Sequence, residues 1–368
     1  MTGVLFHGPE VFDSGWAARF KRAFPRGRFM LAGTMSRTAL HDSGLKGVAA
    51  PGLQPSACLK LLGKKCSTLL IATASKSVNS GLTFGGLVTG RAGLKLPVVQ
   101  AECAGPVYAA HAGACPPRLA AVLGKLGFIK TRAPETRIEL WSEGGALCRR
   151  LTTCSKGDFI LVDGIVVGRA KGPEAVLVTR NRAITEIRGV AVKPHGLEKL
   201  TRLGGVDLAA AKLASTRALR RGGRARVAAR RGRGVVFIDH AGMHVYELAG
   251  KAGGAVTVGD DTTAVAGDIL RRFGVPVIGI TDGDGDGLYN GSLAPGSLVL
   301  RVKADDKAGL RVRRAVFGGR TRSLSNFETV KLKVLRLLKR DLAGGAGETL
   351  PGPRRAGGQA LSRSPAGF

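Results

Sequence analysis

The stretch from Ala255 to Gly287, AVTVGDDTTAVAGDILRRFGVPVIGITDGDGDG, constrains this chain more than any other. It reads as strand, helix, strand. Ala255–Val258 is a short β-branched run, a helix is expected from about Thr263 to Arg272, and Gly274 stops it. Pro276–Ile280 then forms a second buried strand. So short a crossover makes the two strands parallel and the unit right-handed. Acids follow both strands: Asp260 and Asp261 after the first, Asp282, Asp284 and Asp286 after the second. In open α/β sheets, ligands bind beyond the carboxyl ends of the strands. The pattern therefore says where something binds and leaves the reaction open.

Asp282-x-Asp284-x-Asp286-Gly287 matches the opening of a calcium-binding EF-hand loop, but the twelfth position is Leu293 where a bidentate Glu is needed. A buried strand also precedes the loop, which excludes an EF-hand. A Mg²⁺ site fits better, because that ion takes one or two carboxylates, its own waters and a substrate phosphate. Asp260, Asp282 and Asp284 are the candidate ligands, with Asp239 from the end of a third strand, Val235–Ile238. The hydroxyls of Thr262 and Thr263, with the helix N-terminus behind them, suit a phosphate. Acids at strand ends resemble the metal-binding folds of primases and topoisomerases, with Asp239-His240 standing where those carry a glutamate. The other reading is structural: Asp261 and Thr262 cap the helix, and the Asp-Gly repeat is a solvated turn. His240 and His244 are the nearest candidate bases in sequence.

Residues 1–135 are expected to form a first α/β domain. Strand signals at Val4–Phe6, Phe29–Leu31, Thr68–Ile71 and Val98–Val99 alternate with helical stretches such as Gly15–Phe24 and Pro55–Leu62, which implies a mostly parallel sheet. Small polar groups follow the strands: His7, Gly8, Glu10 and Ser14; then Thr34, Arg37 and Thr38; then Ser75, Lys76 and Ser80; and Glu102 after the fourth. Glycine amides, hydroxyls and two cations at helix starts suit an anion such as phosphate or carboxylate. Capping accounts for each residue singly. Four such loops on one sheet edge favour a ligand cleft. Neither the dinucleotide fingerprint nor the P-loop occurs after a strand here.

Residues 136–200 change character, to short β runs at Ile138–Trp141, Phe159–Val162, Ile165–Gly168, Val176–Val178 and Ile184–Ile187. Asp163-Gly164 and Asn181-Arg182 fit hairpin turns, so a small antiparallel segment is expected. Residues 201–234 read as a helix and a basic linker, carrying Arg217, Arg220, Arg221, Arg224, Arg226, Arg230, Arg231 and Arg233 without an acid beyond Ser215. Residues 235–342 form the second α/β domain, in which Asn326 caps a final helix, and 343–368 lack apolar pattern and read as a disordered tail. The fold expected is thus α/β, with two Rossmann-like parallel-sheet domains and the antiparallel segment between them.

Lys and Arg number 57 against 26 acids, a formal +31, so polyanions are attracted, and nucleic acid through the arginines of the linker is the alternative to a small anionic ligand. No apolar run reaches the ~20 residues that span a bilayer, and no secretory signal is evident. A cytoplasmic protein is expected. The six cysteines form no Cys-x-x-Cys pair, which argues against a zinc site or disulfide framework.

Four blocks resemble a family of uncharacterised proteins from methanogenic archaea, a domain of unknown function. They are Phe6-His7-Gly8-Pro9-Glu10-Val11-x-Asp13-Ser14-Gly15, Gly33-Thr34-Met35-x-Arg37-Thr38-Ala39, Val162–Ala170 and His195–Leu200, and the likeness covers about the first 215 residues. The resemblance implies an archaeal cytoplasmic protein. It carries over no catalytic residue and no cofactor.

Overall fold

A computed structural model of the chain describes residues 1–136, 139–220, 225–227, 232–239, 245–249, 252–283, 285 and 291–342. The tail at 343–368 lies outside the described residues, as do Asp284, His240, His244, Arg221, Arg224, Arg230 and Arg231. The chain divides into two compact units, the first built on Met1–Arg226 and the second on Val227–Gly285 with the residues that follow from 291.

In the first unit, β1 (Thr2–His7), β2 (Arg28–Ala32), β3 (Thr68–Thr73) and β4 (Val98–Glu102) are parallel, while β5 (Val107–Ala112) runs antiparallel to β4 and pairs with the short β6 (Ile129–Lys130). Side chains alternate between the sheet's two faces. Val4, Phe6 and Leu70 enter one core with Phe12 and Phe20, and Leu5, Leu69 and Ile71 enter the other with Leu59 and Val88. Burial on both faces explains why these strands read as unbroken apolar runs. The sheet order is β2-β1-β3-β4-β5-β6. Its direction of growth reverses between β1 and β3, which opens a crevice at their carboxyl ends.

The middle of the chain supplies β7 (Leu140–Glu143), β8 (Ala146–Leu151), β9 (Phe159–Val162), β10 (Ile165–Ala170), β11 (Ala175–Arg180), β12 (Ala183–Arg188), β13 (Val190–Val192) and β14 (Leu213–Thr216). They make two four-stranded sheets, β13-β10-β9-β14 and β12-β11-β8-β7, around a shared core of Ile160, Val167, Leu177 and Ile187. Asp163-Gly164 and Asn181-Arg182 turn two of the hairpins with positive φ throughout (51°, 91°, 46° and 66°); that conformation matches the twist of the flanking strands.

The basic linker departs from expectation at two places. It contributes a strand, β14, which pairs with β9. It also buries one of its arginines. Arg220 donates from Nε to Asp13 at 2.8 Å, from Nη2 to Asp13 at 2.5 Å and from Nη1 to Asp42 at 2.7 Å, with 2% of its side chain exposed. The expectation that Arg220 faces a nucleic acid is therefore corrected: two acids more than 170 residues earlier hold its guanidinium inside. Arg217 is exposed, 3.6 Å from Asp158; Arg226 and Arg233 are exposed too.

In the second unit, β15 (Val235–Asp239), β16 (Gly254–Val258), β17 (Val277–Thr281) and β18 (Leu298–Arg301) are parallel neighbours in chain order, and β19 (Arg322–Ser323) pairs antiparallel with β15. Helices Asp305–Phe317 and Phe327–Leu338 cover one face through Val312, Phe317, Val330 and Val334. Asn326 caps the latter as expected, its side chain accepting the Thr329 amide at 2.8 Å. The molecule is thus an α/β protein with two Rossmann-like sheets separated by an antiparallel segment. No helix among the described residues is long and apolar enough to cross a membrane.

Removing one partner from a buried ion pair leaves an uncompensated charge, so Arg220→Ala should destabilise the protein by about 3–5 kcal/mol in urea unfolding. Arg217→Ala, which removes an exposed arginine 3.6 Å from an acid already held by Lys76, should cost under about 1 kcal/mol. Similar small losses from both would show that the Arg220 pairs do not hold the fold.

Candidate functional site

Each parallel strand of the second unit delivers the following loop to one sheet edge. The helix after β16 begins at Asp260, earlier than the sequence pattern suggests, with Gly259 as N-cap at φ 98°. Asp260 and Asp261 therefore lie in the first helical turn, where the dipole favours carboxylates, and Asp261 and Thr262 are not the cap. Asp260 Oδ2 accepts the amides of Asp282 at 3.2 Å and Gly283 at 3.0 Å, which draws the loop after β17 onto the helix start. The third acid is Asp305, 1% exposed, which opens the helix after β18 and accepts the Asp306 amide on Oδ1 at 2.6 Å. Oxygen atoms of Asp260, Asp282 and Asp305 lie within 4.8 Å of one another.

The trio differs from the expected one. Asp239 ends β15 on the same edge, exposed and outside the cluster, so the acid that stands where primase folds carry a glutamate is not part of it. Asp305 takes the place. Its signal was present: strand Ser297–Val302, then Asp305-Asp306 at a helix start, repeats the pattern of Val258-Gly259-Asp260-Asp261. Thr262 is half-buried in the first turn. Thr263 is buried with its hydroxyl 2.8 Å from that of Thr257, so it braces helix to strand and does not face a ligand. Arg301, exposed at the end of β18, lies against the loop after β17; a Cβ on Gly283 would stand 2.5 Å from its Nη2. Arg301 forms no ion pair among the described residues, and nothing in its sequence spacing marked it. Three oxygen donors without nitrogen or sulfur suit a hard divalent ion, Mg²⁺, Mn²⁺ or Ca²⁺.

In the first unit, the crevice at the ends of β1 and β3 is built around His7. Its Nδ1 lies 3.2 Å from the Ala32 carbonyl; a carbonyl only accepts, so Nδ1 carries the proton and Nε2 is left as an acceptor. The ring stacks on Phe84 at 4.2 Å. Burial, with the nearby Lys212 charge adding to it, lowers the imidazole to about 4. Beside it, the Gly8 amide donates to Ser36 Oγ at 3.0 Å, and Glu10 Oε2 lies 3.5 Å from where a Gly8 Cβ would sit. The Ser75 amide donates to buried Glu102 at 2.8 Å. Thr34 opens the next helix, with Arg37 half-buried one turn on.

Four of the expected ligand residues have other work. Thr38 is buried and donates back to the Thr34 carbonyl at 3.1 Å. Ser14 donates to the Glu10 carbonyl at 2.6 Å at a helix C-terminus. Ser80 donates its hydroxyl to the Ser77 carbonyl at 3.0 Å and its amide to Ser77 Oγ at 3.2 Å. Lys76 is clamped by Asp158 at 2.5 Å and Ser215 at 2.8 Å, two residues from the antiparallel sheets. Lys212, close enough to act on His7, was not visible in the sequence as a candidate.

A family described as "Uncharacterized protein conserved in archaea (DUF2117)" matches residues 4–320. An uncharacterized protein of Methanocaldococcus jannaschii is 34% identical over 326 residues, which is 83% of this chain and 89% of that one. Among solved structures, the GsuK channel bound to NAD is similar at a TM-score of 0.19 and 12% identity, covering 92% of this chain and 65% of the channel chain. A likeness that slight carries no argument about fold or ligand.

His7 and His111 are both lowered by burial to about 4 from 6.5. Each holds its proton less tightly folded than unfolded, so the stability they contribute is whole above pH 6.5 and lost as the pH falls from there towards 4. The slope is about 1.4 kcal/mol per pH unit for each ring. Their imidazole NMR resonances should stay at neutral-ring positions at pH 5.5, and the melting temperature should drop through this window. A midpoint near 6.5 for either ring would contradict its burial as a neutral acceptor.

Proposed function

The chain belongs to this family of uncharacterized proteins conserved in archaea, and from that premise we propose that its second unit binds a divalent cation and, through it, an anionic or phosphorylated small ligand. One observation carries the reading: the carboxylates of Asp260, Asp282 and Asp305 converge within 4.8 Å at the carboxyl edge of a parallel sheet. Three negative charges so close repel one another, and amides of Asp282 and Gly283 offset only part of that at Asp260. A cation removes the repulsion. Mg²⁺ is the ion that best fits oxygen donors with room for waters and a phosphate. Arg301 beside the acids and the helix N-terminus carrying Thr262 supply the groups for the anion.

A cation held this way polarises a phosphoryl or carboxyl oxygen, so an enzyme acting on its ligand is the stronger form of the same reading. Turnover also needs a positioned base or nucleophile. In the first unit, the crevice of His7, Gly8, Glu10 and Ser75 is the second place that suits a ligand with polar groups. The alternative function, a non-enzymatic nucleic-acid-associated protein, draws on the net charge of +31 and on exposed Arg217, Arg226 and Arg233. Salt separates the two. Duplex binding through Z phosphate contacts falls with a log–log slope of about −0.9Z, whereas a cation site made of converging carboxylates is screened far less.

Millimolar Mg²⁺ or Mn²⁺ should raise the melting temperature of the full chain. A ligand at 100 times its dissociation constant stabilises by about 2.7 kcal/mol. The Asp282→Asn, Asp305→Asn double variant should lose this response and be as stable as the parent, or more so, without cation. Inorganic pyrophosphate should add a further shift only with the metal present, and Arg301→Gln should reduce that second shift alone. Identical melting of parent and double variant with and without cation removes the metal reading.

A further inference from the structure

A run of buried polar groups crosses the first unit's sheet from β3 to β5. Glu102, fully buried, accepts from Thr73 Oγ1 at 2.7 Å. Gln100, also fully buried, donates from Nε2 to Thr73 Oγ1 at 2.7 Å and to the Gly81 carbonyl at 2.9 Å. Its Oε1 faces His111 Nε2 at 2.8 Å. The Gly81 carbonyl can only accept, so the amide has one orientation and Oε1 must be the atom turned to the histidine. His111 Nε2 is then the donor and carries the ring proton. Burial keeps the ring neutral at ordinary pH, which leaves Nδ1 as a lone-pair acceptor.

The helix Val78–Ala92 comes this close because it has glycines on the facing side. A Cβ on Gly81 would stand 1.9 Å from Glu102 Oε2, and one on Gly85 would stand 1.8 Å from Gln100 Oε1. Farther along, Gly86 and Gly90 of the helix and Gly93 at its C-cap floor a cleft of about 430 Å³, walled by Ala110, Ala133 and Thr136, with His111 in its lining. That volume is within the range of small-molecule sites, ~300–1,000 Å³. His111 lines the cleft, and with Nε2 given to Gln100 its Nδ1 is the ring's remaining polar atom. Neither Nδ1 nor the Thr136 hydroxyl has a hydrogen-bond partner among the described residues. Among the described residues no charged side chain lines the cleft, although the whole chain carries +31.

We propose that this cleft is a binding site for an uncharged small molecule that presents an N–H donor to His111 Nδ1 and a neighbouring polar atom to Thr136 Oγ1. The amide-like edge of an amino-substituted heterocycle, as in a nucleobase, has that chemistry. An anion does not suit it, because a neutral imidazole lone pair offers it nothing and the described lining carries no cation. At Gly90, exposed and with nothing within 4 Å of a Cβ position, the helix backbone gives a flat ring close approach.

Gly90 supplies a variant that should fold. A Cβ there meets nothing within 4 Å, and replacing a helical glycine removes its propensity penalty of roughly 1 kcal/mol. Gly90→Leu should therefore keep or raise the melting temperature while filling the cleft. Adenine and benzamide serve as probes and inorganic phosphate as control, each titrated into the full chain and followed by saturation-transfer NMR and by the amide shifts of Gly86 and Gly90. Expected is saturable binding of at least one of the two heterocycle or amide probes, weakened about tenfold or more by Gly90→Leu and by His111→Phe. Should His111→Phe fail to fold, Gly90→Leu decides. Absence of saturable binding by both probes, equal binding by Gly90→Leu, or the same amide shifts with phosphate would each overturn the proposal.

Discussion

Parallel pairing brings the carboxyl ends of neighbouring strands to one edge of a sheet, and the candidate metal site of the second unit and the His7 crevice of the first are laid along that edge. In the second unit, the register Val258↔Ile280 and Thr281↔Arg301 aligns the exits of β16, β17 and β18. Asp260, Asp282 and Asp305 then meet although up to 45 residues separate them in sequence. The backbone holds them there: Asp260 takes two amides from the next loop, and Asp305 takes the amide beside it. Carboxylates fixed by amides on rigid strand ends cannot simply move apart to relieve their repulsion, and this is the physical basis of the cation reading.

Buried charge is handled differently in the first unit. Arg220 lies between Asp13 and Asp42 and offsets one of their two charges. Glu102 has no cation beside it in its hydrogen-bond set; it is satisfied by the Thr73 hydroxyl and the amides of Ser75 and Ala104. The network from Glu102 through Gln100 to His111 is built only of hydrogen bonds, so each donor and acceptor must be oriented for the others to be satisfied. Such a network determines a tautomer, and with it the kind of group that His111 can recognise.

Much of the candidate metal site was legible. Asp260 and Asp282 stand directly after apolar, β-branched runs, and a strand–acid–helix pattern is a local feature. Asp305 carried the same pattern more weakly, because Lys303 and Ala304 intervene between its strand and its helix. Asp239 was equally plausible by pattern and is excluded by position, one strand farther along the sheet. In the first unit, polar residues at helix starts could not be sorted into cap and ligand by type. Ser14, Thr38 and Ser80 have the hydroxyl that either role needs, and only their hydrogen bonds separate the two. Lys76 and Arg220 were read as cations available to an anion because their acidic partners are 82 and more than 170 residues away.

The sequence by itself determined the local structure: which runs are strands buried on both faces, which dipeptides turn hairpins, and that two acids lie beyond two adjacent strands. These follow from the period of the apolar residues and from backbone preferences, which act over a few residues. Tertiary structure decided the rest. It chose Asp305 over Asp239, placed Arg301 against the loop after β17, buried Arg220, and oriented Gln100 so that His111 presents a lone pair to a cleft. Each of those depends on strand order and on contacts between distant segments, and a charge or hydrogen-bond partner brought from far along the chain leaves no mark in local spacing.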